Sequence, residues 1–171
     1  KFFSGESFTY AEIMQGLKHG VRDCSLIPVV CGSAVSGLGS LLLMDTIVDL
    51  LPNPLEGHPY HGTNREGEPD EFIVSQGAVP AAFVFKTMSD QYGKFSFVKV
   101  LSDRITPDMT LVNSTTGASE KLGRLYVMKG KKNVEVKELL CGDIGAIGKM
   151  DKVKTGDTLC DARKFMKIDP I

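Results

Sequence analysis

The stretch from Ile27 to Pro54 constrains this chain most. It opens with Ile-Pro-Val-Val-Cys-Gly-Ser-Ala and turns at Ser36-Gly37-Leu38-Gly39. It then enters an apolar helical pattern that halts at Leu-Pro-Asn-Pro. Residues 26–31 are a short, nearly unbroken apolar run rich in β-branched side chains. Such a run predicts a strand buried on both faces, as in a parallel sheet. Leu41, Met44, Val48 and Leu51 recur at helical spacing, and Pro52 and Pro54 stop the helix. Strand, small-residue loop and helix together form the closing part of an α/β domain. A loop at the carboxyl end of a parallel strand is where such folds bind ligands, although composition alone favours a simple tight turn.

The residues before this stretch predict one more helix. Thr9-Tyr10-Ala11-Glu12 has the form of a capping box, with Phe8 and Ile13 at staple positions. Ile13, Leu17 and Val21 follow at helical spacing, and Gly20 is placed to end the helix. Lys18 and His19 fall in its last turn, where positive charge suits the dipole. His19 reads as a surface residue. Residues 55–76 hold prolines, glycines and a charge cluster with no period of 2 or 3.6, so they predict an exposed, mobile linker. His58 and His61 read as solvated loop histidines.

From Ala78 onward the punctuation changes. Apolar or alternating runs at 81–88, 94–101, 110–113, 122–128, 134–139 and 144–149 are separated by turn signals. Among those signals are Asp90–Gly93, Thr116-Gly117, Gly142-Asp143 and Gly156-Asp157. Short strands at this spacing predict an antiparallel sandwich or barrel, and small β domains close into barrels to hide their edges. The expected divisions are residues 1–57, a linker at 58–77, the β-barrel at 78–163 and a tail at 164–171.

Composition narrows the function classes. The 171 residues carry a net charge of −1, with 42% hydrophobic and 24% charged residues, so a buried core is expected. Near-zero net charge excludes a general polyanion binder but leaves room for a local basic patch. No apolar run reaches about 18 residues, so no membrane span is expected. The first residue is Lys1 and no secretion signal opens the chain, which reads as a piece of a longer polypeptide. Cys24, Cys31, Cys141 and Cys160 form no C-x-x-C pair and have no histidine at ligand spacing, so no metal is expected. Free thiols suit a reducing cytoplasm. No Ser–His–Asp or Cys–His spacing stands out, and Asp143 and Asp157 read as turn residues.

Several motifs, in order across the whole chain, carry a resemblance. They are Ile27-Pro-Val-Val-Cys-Gly-Ser-Ala and Leu42-Leu-Met-Asp-Thr-Ile-Val-Asp-Leu-Leu-Pro-Asn-Pro, then Asn113-Ser-Thr-Thr-Gly and Gly123-Arg-Leu. Cys141-Gly-Asp-Ile-Gly-Ala-Ile and Thr155-Gly-Asp-Thr-Leu complete the set. Together they resemble the elongation factor G family, from the end of its GTPase domain through the domain II barrel. The run Met128-Lys-Gly-Lys-Lys-Asn departs from the family's usual hairpin and points to a divergent paralogue. The resemblance implies a mixed fold: an antiparallel β-barrel of the translation-factor domain II type, preceded by a truncated α/β remnant of a P-loop GTPase domain. It implies a parent protein that hydrolyses GTP and promotes tRNA and mRNA translocation on the ribosome. Ribosomal protection proteins of tetracycline resistance and peptide chain release factor three share the build. A reading of another class is an unrelated β-barrel adaptor for protein partners.

Carried over by position, Ser33 and Ala34, with Gly32 before them, match the fifth guanine-nucleotide motif, in which a loop amide meets the guanine O6. The parent would hold GTP or GDP with Mg²⁺. This chain has no G-x-x-x-x-G-K-[ST] and no Asn-Lys-x-Asp, so alone it is expected to bind no nucleotide and to catalyse no hydrolysis. Lys121, Arg124, Lys129, Lys131 and Lys132 concentrate positive charge around two adjacent strands. In the family the barrel touches small-subunit ribosomal RNA, and these five residues are the contact candidates. The apolar residues of the first part predict an exposed edge through which copies of the chain self-associate.

Overall fold

The computed structural model describes residues 1–76, 79–90 and 93–169. The chain divides into two compact units, Lys1–Gly57 and His58–Ile171.

The first unit is helical. Helix α1 (Tyr10–Arg22) starts from Thr9 with the expected capping box. The Glu12 amide donates to the Thr9 hydroxyl at 3.3 Å, and the Thr9 amide donates to the Glu12 carboxylate at 2.9 Å. Two donors that a helix start leaves orphaned are thereby paired. The helix runs past Gly20, the residue expected to end it, and Cys24 turns the chain two residues beyond its last turn with φ of 58°. Gly20 serves closeness rather than termination. The Leu26 amide donates to its carbonyl at 3.0 Å, and a Cβ at Gly20 would sit 3.1 Å from Leu26 Cβ. Helix α2 (Ser40–Leu50) starts from Gly39, which adopts φ of 81°.

Two expectations are corrected in this unit. Residues 26–31 form no strand, and Ile27 and Val29 are 82% and 85% exposed. A parallel strand exists only through a neighbour that takes its amides and carbonyls, and no strand lies among the described residues of this unit. The stripe Leu41, Met44, Val48 and Leu51 is exposed rather than buried for the same want of an opposing layer. What the unit carries of an α/β layer is its helices and the loop between them.

The second unit is built from strands. In chain order they are β1 (Tyr60–Thr63), β2 (Pro69–Phe72), β3 (Ala81–Asp90), β4 (Gly93–Ser102), β5 (Arg104–Ile105) and β6 (Thr110–Asn113). There follow β7 (Ser119–Lys121), β8 (Leu125–Lys129), β9 (Lys132–Val136), β10 (Leu139–Leu140), β11 (Ile144–Gly148), β12 (Thr158–Cys160) and β13 (Lys167–Ile168). Eight of them form an antiparallel sheet in the order β7-β6-β12-β3-β4-β11-β8-β9. Along β4 the alternation is clear: Ser96, Val98 and Val100 are buried, while Phe95 and Phe97 sit half-buried on the other face. The sheet rolls into a barrel. Leu111 near one end of the strand order and Leu125 near the other share one buried cluster with Val84, Val98, Ile147 and Leu159. Each such side chain contributes about 1.5–3 kcal/mol on leaving water, so this cluster dominates the unit's stability.

Residues 58–76, expected as a linker, carry β1 and β2, which pair with each other, and β1 pairs on its other side with β13. This three-stranded sheet belongs to a second buried cluster of Phe72, Val74, Ala81, Phe83, Leu101, Cys160, Met166 and Ile168. The pairing escapes a pattern search because β2 buries only Phe72, behind Pro69, Asp70 and Glu71. The expected tail likewise returns as β13, beside β1. Gly77 and Ala78 at the expected domain start, and Gln91 and Tyr92 within the expected Asp90–Gly93 turn, lie outside the described residues.

The segment leading to β13 holds an ion pair with a measurable signature. The Arg163 guanidinium donates to both Asp161 carboxylate oxygens, at 2.9 and 2.8 Å, and its amide donates as well. These bonds, the side-chain one foremost, hold the Asp161 carboxyl at a pKa of about 2. The stabilisation is therefore present above the ordinary aspartate range and is lost as pH falls through about 2. Arg163 is 75% exposed, so solvent screens the pair and its effect on stability is small. The expected readout is the Asp161 carboxyl carbon in an NMR titration: a midpoint near 2 that rises in Arg163→Ala. An unchanged midpoint would refute the assignment.

Candidate functional site

Each unit carries one region picked out from the sequence. In the first, the backbone of residues 31–39 folds back on itself. The Ser33 amide donates to the Leu38 carbonyl at 2.8 Å, and the Ser33 hydroxyl accepts from the Ser36 amide at 3.4 Å. Two glycines permit this closeness. A Cβ on Gly32 would stand 2.8 Å from the Leu38 oxygen, and one on Gly39 would stand 2.6 Å from the Cys31 oxygen. The result is a cleft of about 260 Å³ lined by Cys31, Gly32, Ser33, Ala34, Leu38 and Leu43. The Ser33 amide is spent within the loop. The Ala34 amide has no partner among the described residues, and Ala34 is exposed. A flat acceptor entering this cleft would therefore meet Ala34, with no bulky side chain from Gly32 or Ala34 in its way.

The second region is the β8–β9 hairpin. Its strands pair from Leu125↔Val136 out to Lys129↔Lys132, which leaves the two-residue turn Gly130-Lys131. Gly130 takes φ of 60° while Lys131 does not enter the positive range, as a type II′ turn requires. Lys129 and Lys132 thus stand directly opposite each other, a like-charge juxtaposition that disfavours the hairpin. Neither they nor Lys131 has an ion-pair partner among the described residues.

The other two basic candidates are in a different state. Lys121 at the end of β7 pairs with Asp108 at 2.8 Å, and Arg124 pairs with Glu135 at 3.4 Å. The five basic residues therefore stand in two states: three have no ion-pair partner at a hairpin tip, and two are each paired with an acid. Asp143 and Asp157 are structural, as their turn contexts imply. The Asp143 carboxylate accepts from the Leu140 amide at 2.8 Å, and Asp157 is buried in a polar network around Asn113. Among the described residues no group of three or more His, Cys, Asp and Glu side chains could hold a metal, and no helix is long and apolar enough to cross a membrane. All four cysteines are free.

Sequence reasoning did not anticipate a second cleft on the barrel, of about 230 Å³, lined by Pro107, Asp108, Gly123, Arg124, Tyr126, Gly148 and Lys149. Among these only Arg124 was a contact candidate, because the lining residues meet through the rolling of the sheet.

Comparison with known proteins agrees with this architecture. Residues 80–162 match the family Elongation factor G domain 2. The chain is 37% identical over 165 residues to Elongation factor G 2 of Photobacterium profundum. That alignment takes in 95% of this chain but 24% of the relative, so the chain spans about a quarter of that protein's length. A crystal structure from Thermus thermophilus superposes with a TM-score of 0.72 at 26% identity, covering 95% of this chain and 22% of that one. Residues 80–162 therefore belong to the elongation factor G domain 2 family, and along 95% of its length the chain is similar to a segment of an elongation factor G.

Proposed function

We propose that this chain is part of a translational GTPase that promotes movement of tRNA and mRNA through the ribosome, its barrel docking on small-subunit ribosomal RNA. The observation that carries the reading is the tip of the β8–β9 hairpin, where Lys129, Lys131 and Lys132 stand uncompensated on a domain of the elongation factor G domain 2 family. Opposed like charges cost stability, and a polyanion offsets that cost while releasing its counterions. In the first unit, Gly32, Ser33 and Ala34 fit the edge of a guanine: the open Ala34 amide would donate to O6, and the neighbouring small residues admit the ring. Guanine nucleotide with Mg²⁺ belongs to the parent, as does its hydrolysis. Four free thiols suit work in a reducing cytoplasm.

The test is charge reversal at Lys131 and Lys132 in the full-length parent. Ribosome-stimulated GTP turnover at subsaturating ribosomes is expected to fall by about tenfold at moderate salt, and the difference from wild type should shrink as salt rises. Equal stimulation of wild type and variant at low and high salt would refute the docking role.

A further inference from the structure

We propose that the cleft between the start of β8 and the end of β11 receives a single unpaired nucleotide of RNA, its base against Tyr126 and its phosphate on Lys149 and Arg124. This deepens the docking role proposed above and rests on it. Backbone strain draws attention to the cleft. The described residues hold four non-glycine positions with positive φ, and two of them, Asp108 at 64° and Lys149 at 61°, line it. Strain of this kind persists where the surroundings impose it and collects at functional sites.

The floor of the cleft is bare backbone. A Cβ on Gly123 would lie 2.0 Å from the Gly148 carbonyl oxygen, and the Gly148 amide donates to the Arg124 carbonyl at 3.0 Å. The Tyr126 ring rests over Gly148, where a Cβ would come within 3.3 Å of it, and Phe95 meets the ring edge-on at 5.7 Å and 75°. The ring is thus fixed before any ligand arrives, and its hydroxyl has no partner among the described residues. Lys149 is exposed and its ammonium has no partner there either. The rim acids are already engaged, Asp108 by Lys121 and Glu135 by Arg124, so the cleft presents net positive charge beside an immobilised aromatic ring.

That combination is how proteins hold an unstacked base with its phosphate, whatever the sequence. The volume also limits the occupant. About 230 Å³ is below the roughly 300–1,000 Å³ of sites that enclose a whole small ligand, so one residue of a polymer fits better than a free cofactor.

The test uses the intact chain and two fluorescein-labelled RNA hairpins that differ only by one unpaired nucleotide in the stem. The expected result is tighter binding to the hairpin with the unpaired nucleotide. Tyr126→Leu, which keeps bulk but removes the stacking face, should weaken that complex by about tenfold and leave the fully paired one unchanged. Lys149→Gly should raise the melting temperature, because glycine accepts φ of 61° freely, and yet weaken the same complex about fivefold with a shallower salt dependence. Loss of binding in a more stable protein cannot be misfolding. Equal affinity for the two RNAs, unaffected by either change but abolished by Lys131→Glu with Lys132→Glu, would overturn the cleft and keep the hairpin's role. Failure to bind either RNA would overturn both.

Discussion

Replacing Asp157 with alanine is expected to lower the unfolding free energy of the barrel unit by about 3 kcal/mol. The carboxylate is buried, and one of its oxygens accepts from the Asn113 side-chain amide at 2.7 Å and from the Lys154 backbone amide at 2.8 Å. Asn113 in turn accepts from the amides of Thr115 and Thr116 at 2.9 and 3.3 Å, which shapes the turn after β6. One aspartate therefore ties the β6–β7 connection to the loop before β12. Its removal leaves the buried Asn113 amide facing nothing, at about 1–3 kcal/mol, and takes the acceptor from the part-buried Lys154 amide as well. Urea unfolding followed by far-ultraviolet circular dichroism measures the loss. Asn113→Ala combined with Asp157→Ala should cost clearly less than the two single losses added, because they share a bond. A loss below about 1 kcal/mol for Asp157→Ala would mean that the network contributes little.

Gly123→Ala is expected to be comparably damaging, about 3 kcal/mol, at the upper end of what overpacking costs. The added methyl would meet the Gly148 carbonyl oxygen, which is backbone on the facing strand and cannot step aside as a side-chain tip can. The seam between β8 and β11 must part to accept it. Gly130→Ala provides the comparison: it sits at φ of 60° with nothing within 4 Å, so its loss is conformational alone, about 1 kcal/mol. Urea midpoints for the two variants separate crowding from backbone preference. Equal losses would show that the β8–β11 seam yields readily.

Much of the barrel was legible because its cause is local. Alternation along residues 94–101 and 110–113 places β4 and β6, and Gly-Asp pairs at 142–143 and 156–157 mark corners whose carboxylates do bond the backbone. The Thr9–Glu12 capping box was legible for the same reason. What stayed hidden depends on distant partners. Residues 26–31 have the composition of a buried strand, but composition supplies no neighbour to bond. The β1–β2–β13 sheet joins residues about a hundred positions apart and leaves a mark of one buried phenylalanine on β2. At the candidate sites, spacing could name five basic residues but not which of them have acidic neighbours, because Asp108 and Glu135 reach Lys121 and Arg124 only in the folded barrel. The positive φ values at Asp108 and Lys149 have no sequence signature of the kind that glycine gives.

The pairing of β1 with β13 has a mechanical meaning. The two strands run antiparallel, Gly62 opposite Ile168, with the Asp169 amide bonded to the His61 carbonyl, so both chain exits of this unit leave from one end of the ladder. Tension between those exits loads the contacts one after another, like a zip, rather than all at once. The short clasp would peel at low force while the rolled sheet, whose main buried cluster includes no residue of β1 or β13, stays shut. A protein whose outer parts are tugged in opposite directions would thus carry a give-way link beside a body that keeps its shape.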